Sequence, residues 1–169
     1  MARQSDVRTL GRSPYHLLKR AAQYAAVLYA GTAGQTGLTQ RQFTVLAAVE
    51  QNDGASQTEL VRITGIDRST MADVVARLAE QGYLQTRRAR DDARTNSVRL
   101  TAPGRKALRA AGPGAGEVDK QLLAAVPPKY RKSFVEALTS LAQKLEASES
   151  KAVGAKKAGA ARPSRVARG

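Results

Sequence analysis

The stretch from Ser56 to Leu84, SQTELVRITGIDRSTMADVVARLAEQGYL, restricts the fold more than any other part of the chain. Ser56 followed three residues later by Glu59 reads as a capping box, in which the hydroxyl and the carboxylate satisfy free backbone N–H groups at the start of a helix. Thr64-Gly65-Ile66 ends that helix after a short run. Asp67 then caps a second helix, whose apolar residues Met71, Val74, Val75 and Leu78 recur at i, i+3, i+4 and i+7 and so form one stripe. Two short helices joined through a glycine turn are a helix-turn-helix.

The residues left facing outward on the second helix are Arg68, Ser69, Ala72, Asp73, Ala76 and Arg77, with Thr70 at the border. Short polar side chains, methyl groups and arginines suit close entry into a major groove, arginine toward guanine edges and alanine toward a thymine methyl. An ordinary solvated helix face has the same composition, and the residues alone leave both readings open. Gly82 ends the helix. LQTRRA and SVRLT then alternate as two strands joined by RDDARTN, so a hairpin follows the helix-turn-helix directly: a winged helix. At its tip, Asp92 stands two residues before Arg94 and can hold a guanidinium in a fixed orientation, so that Arg90 or Arg94 enters a minor groove. Alternatively, Asp91 and Asp92 only initiate the turn.

Helices flank this unit on both sides. Ser13-Pro14, a cap followed by proline, opens one that runs to about Ala30. Thr39 caps another carrying Phe43, Leu46, Ala47 and Val49. A final helix from about Pro128 to Ala147 bears Phe134, Leu138, Leu141 and Leu145 at spacings of 4, 3 and 4, a seam that serves either a second copy of the chain or an internal core. The expected fold class is mainly α with a small two- or three-stranded β wing. The expected organisation is a flexible N-terminus over 1–12, a helical dimerisation region from 13–37 and 103–147, a winged helix-turn-helix over 38–102, and a disordered basic tail over 148–169.

Charge narrows the partners. The 169 residues hold 28 Lys and Arg against 14 Asp and Glu, a net charge of +14, which points to a polyanion, double-stranded DNA before an anionic membrane surface. From Lys151 onward KAVGAKKAGAARPSRVARG has no acid and is otherwise almost all Ala, Gly, Pro and Ser, too little apolar surface to offset the entropy of folding. No apolar run is long enough to span a bilayer, and MARQSDVRTLGRS lacks the apolar core of a signal peptide, so a cytoplasmic protein with no membrane partner is expected. With no cysteine and His16 as the only histidine, disulfides, a thiol switch and an ordinary zinc site are excluded, and no cofactor is expected. Gly112-Pro113-Gly114-Ala115-Gly116 leads into Glu117-Val118 rather than Lys-Ser/Thr, and no serine, histidine and carboxylate cluster stands out, so the chain is not expected to be an enzyme.

The order of elements, with LTQRQFTVLAAVEQ, SQTELVRITGIDRSTMADVVARLAEQGYL and the wing pattern Asp92-x-Arg94 followed by Val98 to Thr101, resembles the MarR family of bacterial transcription regulators over about Tyr15 to Leu145. The resemblance implies a homodimer whose first and last helices intertwine, placing two winged helices on a pseudo-palindromic operator as a repressor. Arg68, Ser69, Thr70, Asp73 and Arg77 would then face bases, Ser56, Gln57 and Thr58 would meet phosphates, and Arg90 and Arg94 would extend the wing, with Asp92 in support. The segment from Thr101 to Val126 looks like the family's long connecting helix. Here it carries Gly112 to Gly116 with Pro113, and since proline costs about 3 and glycine about 1 kcal/mol inside a helix, a kink or break is predicted.

Regulators of this kind respond to aromatic acids and their thioesters, to oxidants through cysteine, or to metals. The absence of cysteine and the single histidine leave a small organic anionic effector. In such relatives the ligand lies near the first helix, where Tyr15, His16, Lys19, Arg20, Gln23 and Tyr24 gather cations and aromatic rings suited to an aromatic acid or its coenzyme A thioester. A structural role for the histidine and tyrosines is the plain alternative. The competing function is an architectural, largely non-specific DNA-binding protein built from a winged helix and a basic tail.

Overall fold

A computed structural model describes residues 7–88 and 96–144. After a short 3-10 turn over Val7–Arg12, α1 spans Pro14–Gly31, α2 Gln40–Gln51, α3 Gln57–Thr64 and α4 Arg68–Glu80. β1 (Leu84–Arg88) and β2 (Asn96–Leu100) follow, then α5 (Ala102–Ala124) and, after a 3-10 turn at Pro128–Tyr130, α6 over 131–144. The predicted caps form: the Ser13 hydroxyl accepts from His16 N–H, Thr39 from Gln42, Ser56 from Glu59 and Asp67 from Thr70. Each removes a free donor at a helix start, so the boundaries sit where the sequence puts the caps.

The strands pair antiparallel with Leu84 opposite Leu100 and Thr86 opposite Val98. A third extended segment joins their base. Gly54 N–H donates to the Val98 carbonyl at 3.1 Å, and Val98 N–H donates to that of Ala55 at 2.9 Å, making a bridge between Ser56 and Ser97. The wing is therefore two full strands plus one short bridge to the segment that enters α3.

Buried side chains form two clusters. The larger joins α2, α3, α4, both strands and the first half of α5, and includes the fully buried Leu46, Leu60, Met71, Leu78 and Val98. The smaller holds Tyr29 of α1, Ala33 and Val118 of α5, with Leu28 and Phe43 against it. Thus α5 takes part in both, through Leu108 and Ala111 at one end and Val118 at the other.

The predicted break at Gly112 to Gly116 does not occur. The helix α5 runs unbroken from Ala102 to Ala124 with Pro113 inside it. Proline removes one helical N–H and glycine weakens the local propensity, but both flanks are fixed by buried residues. Gly114 also seats Ala33 so closely that a Cβ there would lie 2.8 Å from the Ala33 Cα. Tertiary packing on both sides outweighs the local cost.

Candidate nucleic-acid interface

The turn between α3 and α4 depends on Gly65, whose φ of 66° and ψ of 9° lie in the left-handed region that glycine enters without strain. Its N–H caps the Val61 carbonyl at 2.9 Å. Asp67 then opens α4 by accepting from Thr70 N–H at 2.9 Å. That bond is the chief reason its carboxyl stays below the usual range, with the Thr70 side chain contributing next.

Burial of Met71, Val74, Val75 and Leu78 fixes the rotation of α4, leaving Arg68, Ser69, Ala72, Asp73, Ala76 and Arg77 exposed and Thr70 half-buried. All five residues expected to face bases are therefore brought to one outward surface. Beside it lies an open groove of about 450 Å³, lined by Thr70, Asp73, Val74 and Arg77 on one wall and Thr39 to Gln42 of α2 on the other. Gln42 steadies that second wall: its side-chain carbonyl accepts from Thr39 N–H at 2.9 Å, and its amide donates to the Gln81 side chain at 3.4 Å. A buried glutamine thus ties the start of α2 to the end of α4.

Of the residues expected at phosphates, Thr58 is exposed and Gln57 and Ser56 are half-buried. The Ser56 hydroxyl donates to Glu59 Oε2 at 2.9 Å and accepts from Glu59 N–H at 3.2 Å. Its proton is committed to the cap, so toward a phosphate this position offers no free donor from its side chain. The Glu59 carboxyl is held low, first by the Ser56 backbone N–H and then by its hydroxyl. Arg90, Asp91, Asp92 and Arg94 lie outside the described residues, so the two readings of the wing tip stand as the sequence left them. Arg99 of β2 was not singled out from the sequence, yet it pairs with Asp53 at 2.9 Å and bridges the wing to the turn after α2. The partners are 46 residues apart, and no local pattern announces them.

On α1, Tyr15, Lys19, Arg20, Gln23 and Tyr24 are exposed and His16 is half-buried. The Lys19 ammonium lies 5.5 Å from the Tyr15 ring centroid, a cation–π distance. Of these six, Tyr15 lines an apolar groove of about 420 Å³, which it shares with Pro14, Leu17, Leu18, Ala21, Phe134 and Leu141. Two residues of the α6 seam, Phe134 and Leu141, thus line one groove with α1. Leu138 is half-buried, and Leu145 lies outside the described residues. Deeper in, the Tyr29 hydroxyl is buried with no hydrogen-bond partner among the described residues, 6.4 Å between its ring centroid and that of Phe43. Burial raises its pKa. It sits where α1, α2 and α5 converge, and sequence gave no sign of it beyond a tyrosine at helical spacing.

A model of the MarR family matches residues 36–95, from the approach to α2 through the wing. Transcriptional regulator HosA of Escherichia coli O157:H7 is 30% identical over 99 residues, 59% of this chain and 73% of the relative. The chain belongs to the MarR family. The transcriptional repressor NicR of Pseudomonas putida is 31% identical over 105 residues, 62% of this chain and 66% of its own length. Among solved structures, BpsR of Bordetella bronchiseptica, whose DNA binding is regulated by 6-hydroxynicotinic acid, has a TM-score of 0.72 at 29% identity, covering 76% of this chain and 92% of that one. This MarR-family chain is accordingly a DNA-binding transcriptional regulator and not an enzyme. Among its described residues no helix is long and apolar enough to cross a membrane, and no group of three acidic or histidine side chains is placed to hold a metal ion.

Proposed function

We propose that this MarR-family regulator is a cytoplasmic homodimeric repressor that binds a pseudo-palindromic operator and releases it when a small aromatic acid, or its acyl thioester, binds. The observation that carries the dimer is the state of α1 and α6: Tyr15, Leu17, Leu18, Val27, Val135 and Leu141 are all at least 46% exposed. That much uncovered apolar surface on two adjacent helices fits a partner rather than water. Residues 13–37 and 103–147 form the dimer arm in this reading, and 38–102 the lobe that enters DNA. Residues 1–12 lie ahead of it, with a 3-10 turn over Val7–Arg12 where the sequence suggested a flexible end, and the basic tail over 148–169 adds contacts to phosphate that carry no sequence information.

Arg68, Ser69, Thr70, Asp73 and Arg77 face bases, while Gln57 and Thr58 meet phosphates and Ser56 holds the start of their helix. Arg90 and Arg94 extend the wing. The effector lies beside α1, where Tyr15, His16, Lys19, Arg20, Gln23 and Tyr24 supply charge and ring surface and the Tyr29 hydroxyl lacks a partner among the described residues. NicR, a repressor by name, supports the sign of regulation, and 6-hydroxynicotinic acid, which regulates BpsR, is an aromatic acid of the expected kind. Effector binding where the two lobes join the arm shifts the spacing of two recognition helices that must fit half-sites about one helical turn apart.

Selection from a random duplex pool near physiological salt tests the operator. A two-fold symmetric consensus with half-sites roughly 10 base pairs apart is expected; recovery of no consensus leaves an architectural protein that binds through charge. Calorimetry with hydroxycinnamates, benzoates, hydroxynicotinates and their thioesters tests the effector. No heat and no release of DNA for any of them would reject that part.

A further inference from the structure

Asp73 is an acid on the outward face of α4, between Ser69 one turn before it and Arg77 one turn after, with the exposed Glu80 two turns further on at the last residue of the helix. Placed four residues ahead of Arg77, it has the spacing of a favourable helical ion pair. No such pair forms, and Asp73 has no hydrogen bond or ion pair with any described residue. The acid just ahead of the helix, Asp67, is spent on its cap. Asp73 is exposed, lines the groove toward α2 opposite Arg41, and lies in the second turn of a helix whose start is directed at DNA in this fold.

Charge makes that position costly for simple attraction. The chain is otherwise strongly positive, and a free carboxylate carried into a duplex groove is repelled by phosphates whatever the sequence. Its chemistry, however, is restrictive. An ionised carboxylate only accepts hydrogen bonds. In the major groove the donors are cytosine N4 and adenine N6; guanine offers N7 and O6, and thymine O4 and a methyl group. A carboxylate facing guanine or thymine is left opposite an acceptor or an apolar group with nothing to receive.

Resting on the operator reading above, we propose that Asp73 is a specificity-determining residue that admits cytosine or adenine at one position of each half-site and rejects guanine and thymine there. It works as much by exclusion as by attraction. Arg68 and Arg77 supply affinity at neighbouring positions, and Asp73 subtracts it wherever the wrong base stands.

The test compares binding sites selected by the full-length wild type, Asp73→Asn and Asp73→Ala. Asparagine keeps the shape but adds a donor, and alanine removes both. The expected wild-type consensus has one symmetric position restricted to cytosine or adenine. In Asp73→Asn and Asp73→Ala the bias at that position alone falls by about ten-fold, with guanine and thymine admitted, while affinity for random duplex rises. Asp73 is exposed, so unchanged melting temperatures are expected for both variants and serve as the fold control. A wild-type consensus that both variants reproduce at every position overturns the proposal and leaves the operator reading intact. A wild type that selects no consensus overturns both together.

Discussion

The lobe and the arm of this regulator are built to different degrees of completeness. The lobe closes around sixteen buried side chains drawn from three helices, two strands, half of α5 and, with Leu38 and Ala55, the segments between them. The arm has only Tyr29, Ala33 and Val118 buried together, and it leaves Tyr15, Val27 and Leu141 between 58% and 72% exposed. A lobe that satisfies its own apolar surface needs no other chain in order to fold. On the proposed reading, an arm that does not is finished by association with a second copy. The division then follows the work proposed for each part: a reading face that keeps one shape, and an arm that senses and transmits.

Substitutions separate the two. Leu46→Ala, in the fully buried part of the lobe, is expected to cost about 2–5 kcal/mol, seen in urea unfolding as a shift that does not vary with protein concentration. Leu141→Arg places a charge on the exposed seam instead. It should leave the lobe folded by circular dichroism, turn the dimer into monomer by sedimentation equilibrium, and weaken operator binding on the order of 100-fold through lost bivalency. A dimeric Leu141→Arg protein would break the comparison.

Where α5 passes from one region to the other, glycines give a finer probe. Gly114→Ala drives a methyl into Ala33 and should destabilise by roughly 1–3 kcal/mol. A Cβ at Gly116 meets nothing within 4 Å, so alanine there should stabilise by up to about 1 kcal/mol. Thermal melts of the two variants distinguish packing from propensity along a single helix.

Smaller effects are expected at the surface of the lobe. Ser56→Ala removes the cap of α3 and should cost about 1 kcal/mol. The folded-state pKa of Glu59 is lowered, so its contribution is complete above the ordinary carboxylate range and is lost as pH falls through the lowered value. The gap in stability between wild type and Glu59→Gln should therefore close on acidification; a gap that widens would contradict the cap as the cause. Smallest of all, a double-mutant cycle on Asp53 and Arg99, both exposed, should give a coupling below about 1 kcal/mol that shrinks with added salt.

Much of the lobe was legible because its signals are local. Thr39, Ser56 and Asp67 cap helices with bonds spanning three residues, and the stripe at Met71, Val74, Val75 and Leu78 settles which side of α4 faces out. Contacts between distant segments were not legible. Gln42 with Gln81, Asp53 with Arg99, and Ala33 against Gly114 join residues that no periodicity relates. The same gap explains why α5 is continuous where the sequence allowed a break at Gly112 to Gly116: propensity counts the cost of proline and glycine, but not the neighbours that hold the helix in place. On α1, spacing identified a face with Tyr15, Lys19 and Tyr24 but could not say what would lie against it.

The joint between wing and lobe is made by main-chain groups, Gly54 N–H to the Val98 carbonyl and Val98 N–H to that of Ala55. Main-chain bonds survive most changes of side chain. Substitutions can therefore alter the charges of the wing while the segment entering α3 keeps its seat against β2, so that, on the proposed reading, the wing's and the recognition helix's shares of operator preference can change separately, one contact at a time.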